Sequence, residues 1–255
     1  MGGHPIMAVV YCLPNGSRNK KTGPMAQVLI CPADTVPYVA VKTGEDVSVC
    51  GNCPLRPVSG GGCYCNLGKF FPKVWEVAKG LPHDLDAACT AIRHSGLPVR
   101  VGSWGDPAAV PVEVIRSLVD AARRPDGKSR HTTYTTQWRQ RPDLRDIAMA
   151  SVYSQVDQRE AARAGWRTAR VRIAGTPLLH GEIVCAATKE TGYKTTCSEC
   201  LMCSGTGQKG PNVSFKLHGS SHKVAAVHRV IERLESGAVS TAHVATSHGH
   251  HALLH

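Results

Sequence analysis

Cys50-Gly-Asn-Cys53-Pro-Leu-Arg-Pro-Val-Ser-Gly-Gly-Gly-Cys63-Tyr-Cys65 places four sulfurs within sixteen residues. Gly60, Gly61 and Gly62 loosen this backbone while Pro54 and Pro57 stiffen it, so no regular helix or strand is expected to run through it. Its order is expected to come from whatever the sulfurs hold. Cys50-x2-Cys53 has the spacing at which two thiolates meet one metal centre. Cys63 and Cys65 offer one or two further donors. Alternate residues of an extended backbone point opposite ways, so these two need not both face the metal. Three thiolates leave a coordination position open, as in catalytic centres; four close it, as in structural zinc sites.

Upstream of the loop, Val28 to Cys31 and Tyr38 to Val41 are brief apolar runs bounded by Pro32 and Pro37 and read as short strands. Val9 and Val10 start a further short strand in an otherwise irregular segment, 1–26. Downstream, Phe70, Phe71, Val74, Val77 and Ala78 recur at helical spacing and stop at Gly80. Asp84 caps a second helix that buries Leu85, Ala88, Cys89 and Ile92 and stops at Gly96. Cys89 is read as core; Cys12 and Cys31 have no close partners in the sequence. A strand from Leu97 ends in Gly105-Asp106-Pro107, and Pro111 opens a helix with Val114, Ile115, Leu118, Val119 and Ala122 inward. Strand patterns follow at His131 to Trp138, Met149 to Ser154, Trp166 to Ile173, Ile183 to Ala186 and Val213 to Leu217. Between them lie helical patterns at Asp143 to Ala148 and Gln155 to Ala164. A last helix spans Val224 to Glu235.

Strands alternating with helices of this length predict an α/β fold with a parallel sheet and right-handed crossovers, here a partial (β/α) barrel over residues 27–222. The C-terminal helix at 223–235 and a His-rich tail at 236–255 follow. In such barrels chemistry collects at the C-terminal ends of the strands. Gly105-Asp106-Pro107, Gln137-Trp138-Arg139, Ser151 and Ser154 fall near those ends. Gln137, Trp138 and Arg139 combine polar and aromatic groups and are the preferred substrate contacts. Trp104, Trp138 and Trp166 are read as stacking platforms for bases or as core. His218 and His222 would place two imidazoles near the site, and His248, His250, His251 and His255 offer donors in the tail.

A second thiol cluster is the most specific signal in the chain. In Cys197-x2-Cys200-x2-Cys203, three successive thiolates converge as in ferredoxin-like runs, and Cys185 at a strand end supplies a fourth ligand. An iron–sulfur cluster is favoured over tetrahedral zinc.

With 255 residues and 42% hydrophobic content, the chain has enough for a core; 5% aromatics make that core mostly Val, Ala, Leu and Ile. No membrane span or signal peptide is recognisable, which points to a cytosol. Eleven cysteines in a reducing compartment read as metal ligands rather than disulfides. A formal net charge of +11 favours nucleic acid, nucleotides or acidic protein surfaces as partners. The positive charge is dispersed, with short runs at Arg18-Asn19-Lys20-Lys21, Arg123-Arg124 and Arg139-Gln140-Arg141.

The cysteine loop after the first strands, the Tyr64-Cys65 pair, Gly105-Asp106-Pro107 closing the next strand and the late cysteine cluster together resemble the radical S-adenosylmethionine enzymes. The resemblance implies a [4Fe–4S] cluster on Cys50, Cys53 and Cys63, with Cys65 as substitute ligand. It implies S-adenosylmethionine along Gly105, Asp106, Pro107, Ser151 and Ser154, with Asp106 on its amine. It implies a second cluster on Cys185, Cys197, Cys200 and Cys203. Over residues 25–225 the chain is also similar to cysteine-cluster proteins of actinobacterial bacteriophages. That similarity rests on Cys-Gly-x-Cys-Pro at 50–54, Gly-Gly-Cys-Tyr at 61–64, Gly-Asp-Pro-Ala-Ala-Val-Pro at 105–111 and Thr-Cys-x2-Cys-x2-Cys at 196–203. Two functions follow as expectations. One is an iron–sulfur enzyme acting on a nucleotide or DNA base in the host cytoplasm. The other is a non-catalytic, metal-stabilised DNA-transaction factor, with zinc as the alternative metal, that binds DNA, a recombinase or another phage or host protein. A recombination directionality factor of a serine integrase is an example of the second.

Overall fold

A computed structural model describes residues 4–12, 19–68 and 70–237; the tail histidines and Arg18 lie outside the described residues. The strands are β1 (Ile6–Tyr11), β2 (Ala26–Pro32), β3 (Val99–Trp104), β4 (His131–Thr135), β5 (Met149–Val152), β6 (Thr168–Arg172), β7 (Glu182–Val184) and β8 (Asn212–Lys216). The helices are α1 (Pro37–Thr43), α2 (Val47–Cys50), α3 (Phe70–Ala78), α4 (Leu85–Ser95), α5 (Val112–Ala121), α6 (Gln155–Arg163), α7 (Cys197–Cys200) and α8 (Ser221–Glu235). The fold is mixed α/β. One eight-stranded sheet runs in the order β1-β2-β3-β4-β5-β6-β8-β7 and does not close into a ring. Only β1 is antiparallel to its neighbour; every other pair is parallel. The parallel strands therefore share one amino-terminal rim and one carboxyl-terminal rim.

Local chemistry explains most boundaries. The Asp84 carboxylate accepts from the Ala87 amide at the start of α4, and Gly96 ends that helix in the left-handed region. Ser154 caps α6 by accepting from the Asp157 amide. The Asp143 to Ala148 pattern shrinks to a single 3-10 turn at Pro142–Leu144. Two further expectations are corrected. Tyr38 to Val41 is helical, because Pro37 stands at the first position of α1, where its fixed φ and missing N–H suit a helix start. Ile6–Tyr11 is an ordered strand inside the segment expected to be irregular, paired along its length with β2.

The main core lies between the sheet and its helices, with Ile30, Val101, Ile115, Leu118, Trp104, Trp138 and Trp166 inside it. All three of these tryptophans are thus core residues rather than stacking platforms, and Cys89 is in the same core. The opposite face of the sheet follows from the register. Tyr11, Gln27, Arg100 and Thr132 are successive cross-strand partners. Tyr134 pairs with Met149, Ser151 with Ala169, and Val171 with Phe215. Partners share a face, and so do residues two apart on one strand. Tyr134, Ser151, Val171 and Phe215 are half-buried on this face, whereas Thr132, Met149, Ala169 and Val213, two residues before each, are buried.

Among the described residues no helix is long and apolar enough to cross a membrane.

Candidate metal centres

The Cys50–Cys65 loop lies on the carboxyl-terminal rim. The Asp106 amide donates to the Val49 carbonyl at 2.7 Å, just after β3. The Gln137 amide Nε2, just after β4, donates to the Cys50 carbonyl at 3.2 Å. The Cys65 thiol donates to the Ser103 carbonyl at 3.3 Å. Leu55, in the middle of the loop, packs with Tyr153, Leu217 and the inner residues of α8, Val227 and Ile231. Much of the loop's order therefore comes from the protein rather than from the sulfurs alone. Arg56 adds to it, donating to the Gly44 carbonyl and the Asp46 carboxylate, each at 2.7 Å. The loop is also less irregular than expected, since α2 ends on Cys50 and Pro57–Ser59 forms a 3-10 turn.

Two glycines explain the close approach. Gly51 has φ +57° and a Cβ there would meet the Gln137 side chain at 2.7 Å. Gly62 passes so near α8 that a Cβ would stand 2.5 Å from the Lys223 carbonyl oxygen. The Lys223 ammonium in turn donates to the Cys65 carbonyl at 3.3 Å. The C-terminal helix is thus a roof over the cysteine loop.

The four thiols of this loop sense one another. Burial pushes the Cys50 thiol well above the ordinary range, and Cys53, Asp46, Cys63 and Asp106 add to it. Burial raises Cys53 to about 12. The neighbouring Cys65 side chain draws the Cys63 thiol down to about 7, and the Cys65 thiol rises well above its ordinary range beside Cys63 and through burial.

The second cluster packs on the face of the sheet opposite the main core, where Cys185, Cys203 and Cys197 join Met149, Ala169 and Val213. The Cys197 and Ser198 amides donate to the Lys21 and Thr22 carbonyls, each at 2.9 Å, on the segment leading into β2. The Thr133 amide donates to the Cys203 carbonyl at 3.0 Å. Arg167, just before β6, donates to the Met202 and Gly205 carbonyls, each at 2.8 Å. The Thr196–Glu199 capping box fixes the turn that carries Cys197 and Cys200. Cys185 follows β7, and its amide donates to the Ser214 carbonyl at 3.0 Å, in the middle of β8. Burial raises the Cys185 and Cys197 thiols and takes Cys203 to about 12. Cys203 feels Cys185, Cys197 and Cys200, while the nearby Tyr134 phenol opposes the rise.

The donor chemistry of four cysteines in each group suits a thiolate-bound metal centre. As positioned, no three His, Cys, Asp or Glu side chains among the described residues form a group that could hold a metal ion.

The expected cofactor and substrate residues are braces. Asp106 is buried and accepts from the Ala108 amide, the Thr135 hydroxyl, the Thr136 amide and the Thr136 hydroxyl, at 3.0, 2.7, 2.7 and 2.8 Å. Those donors fill both carboxylate oxygens, so an amine would have to displace one of them. Burial raises the Asp106 carboxyl, and the same hydrogen bonds oppose that rise. Gly105 has φ +79°, and a Cβ there would meet the Ile30 carbonyl oxygen at 2.2 Å; Pro107 opens the turn that Asp106 caps. Gln137 supports Cys50. Arg139 lies over the Trp138 ring at 3.9 Å and pairs with Asp157 at 2.6 Å and Glu160 at 2.5 Å. Ser154 is the α6 cap. Of the cofactor positions, Ser151 alone is half-buried on the face opposite the main core. His218 stacks on Tyr64 at 5.9 Å, beside Cys63 and Cys65, while His222 is exposed in the first turn of α8. The braces at Arg56 and Lys223 carried no sequence signal, and Gln137 was marked for its residue type but not as a brace; its contact with Cys50 spans 87 residues. Comparison with protein families, curated proteins and solved structures finds no match.

Proposed function

We propose that the chain is a bacteriophage iron–sulfur enzyme of the radical S-adenosylmethionine type, curved as a partial (β/α) barrel and acting on a nucleotide or DNA base in the host cytoplasm. The observation that supports this best is the group of Cys50, Cys53, Cys63 and Cys65 on the carboxyl-terminal rim, where α/β folds carry their chemistry. Cys50, Cys53 and Cys63 would hold a [4Fe–4S] cluster, with Cys65 as substitute. Bound there, it would supply an electron to S-adenosylmethionine. The chain's own residues do the positioning. Gln137 and Arg56 fix the loop, Asp106 ties the ends of β3 and β4 together, and α8 shields the thiols from water. Cys185, Cys197, Cys200 and Cys203 would hold a second cluster in a structural or electron-relaying role.

A second reading has its own support. The filled carboxylate of Asp106 and the inward pairing of Arg139 leave the expected cofactor and substrate contacts engaged with the protein itself. A metal-stabilised factor, with zinc at both knots, binding DNA or a recombinase, would need neither. Calorimetric titration of S-adenosylmethionine into anaerobically purified protein separates the two. The enzyme reading expects saturable binding that Cys53→Ser abolishes. No binding to brown, iron-loaded protein would refute it, and a colourless zinc protein that binds DNA would favour the factor.

A further inference from the structure

We propose that α8 is a lid, hinged at Gly219 and latched at Glu235, that lifts as a unit to open the thiols of Cys53, Cys63 and Cys65 to metal and substrate. This rests on the proposed function only in taking those thiols as the working group. The helix covers them directly. Cys53 packs against the cluster that Leu55, Tyr153 and Leu217 form with Val227, Val230, Ile231 and Leu234 of α8. The Lys223 ammonium donates to the Cys65 carbonyl at 3.3 Å, and the Lys223 carbonyl side of the helix lies against Gly62, next to Cys63.

Three features make α8 separable from the body. Its apolar side belongs to a small cluster apart from the main core, so lifting it leaves the packing of α1 to α6 on the sheet intact. Its connection is slack. The Leu217 amide makes the last tie to the sheet, donating to the Arg172 carbonyl at 2.8 Å, and His218, Gly219 and Ser220 beyond it are exposed. Gly219 has φ +135°, a Cβ there would meet nothing within 4 Å, and no side chain caps the helix start that follows. A few residues that absorb a backbone rotation without meeting a neighbour are what a hinge requires. The polar ties are few. Among the described residues they are the Lys223 bond and, at the far end, the Glu235 carboxylate, which accepts from the Gln155 amide at 3.0 Å. Gln155 opens α6, whose amino-terminal end favours a carboxylate, and the bond is exposed.

The test is hydrogen exchange by mass spectrometry on the full-length, anaerobically purified protein after chelation of any metal, alongside iodoacetamide labelling of each cysteine. The α8 amides are expected to exchange together, about tenfold or more faster than those of β2 and β3. Gly219→Ala adds a methyl that touches nothing but penalises the φ of the closed hinge. It is expected to speed α8 exchange and the labelling of Cys53, Cys63 and Cys65 about tenfold each, with β2 and β3 unchanged. Glu235→Ala, which removes the latch, is expected to speed the same two rates together by about threefold. The proposal is overturned if α8 exchanges only as slowly as β2 and β3, or if Gly219→Ala speeds α8 exchange without speeding the labelling. It is also overturned if Gly219→Ala speeds β2 and β3 equally, since the substitution would then act on the whole fold. Iron-loaded protein whose α8 opens only with the core would keep the iron–sulfur reading and lose the lid. A zinc protein with a hinge-sensitive α8 would do the reverse.

Discussion

Gly105 and Asp106 fix the carboxyl-terminal rim through two different physical demands. A side chain at Gly105 would sit in the left-handed region and against the Ile30 carbonyl, so Gly105→Ala should cost more than about 2 kcal/mol in urea unfolding. Asp106→Asn turns acceptor positions toward donors already facing them and should cost roughly 2–3 kcal/mol. Were Asp106 only a cofactor contact, that substitution would leave the stability of the cofactor-free protein unchanged. His131 makes a third residue-scale prediction. It is buried, lies against the Ser129 hydroxyl and contacts the Ile147 carbonyl at 2.8 Å, and burial lowers its pKa to about 4. The unfolded chain, with a His near 6.5, then binds more protons than the folded one, so stability is intact above pH 6.5 and declines as pH falls through about 4. The loss should approach ~3 kcal/mol, and His131→Gln should flatten the pH–stability curve across that window.

At the scale of elements, periodicity carried most of the fold. α4 and α5 each combine an apolar face with a readable cap or proline start, whereas α6 has a readable serine cap but buries Asp157, Gln158 and Ala161; the strands between them are short β-branched runs. Tyr38 to Val41 reads as a strand in the sequence but is a helix, because a proline such as Pro37 bounds a strand and opens a helix equally well. The cysteine spacing marked both groups of thiols, but not how the first is held, since the contacts of Cys65 with Ser103 and Lys223 come from β3 and α8 far along the chain. Trp138 and Arg139 looked like a contact segment because residue type does not disclose which side of a strand end is covered. Arg170 was legible only as part of an alternating strand. In the fold it is buried against Glu182 at 2.7 Å, tying β6 to β7 across β8. Glu182→Ala should destabilise by ~3–5 kcal/mol, because it strands a buried guanidinium. Arg170→Met combined with Glu182→Leu should recover most of that loss in a double-mutant cycle of urea unfolding.

At the scale of the whole molecule, the Cys50–Cys65 loop is anchored at the carboxyl-terminal ends of β3 and β4, while Cys185, Cys197 and Cys203 pack on a face of the sheet beside Met149, Ala169 and Val213. Parallel strands and their long connections let two loops distant in sequence be anchored separately. The basic charge is less available than its total suggests, since Arg116, Arg123, Arg139 and Arg141 are each paired with a carboxylate. The most direct measurement is iron and acid-labile sulfide analysis on anaerobically purified protein, alongside variants lacking either group of cysteines. About eight irons and eight sulfides per chain are expected, halved by Cys50→Ala/Cys53→Ala/Cys63→Ala and reduced to background when Cys197, Cys200 and Cys203 are also replaced by alanine. Protein carrying only zinc, or iron that neither set of substitutions reduces, would contradict two iron–sulfur centres on the two groups of cysteines.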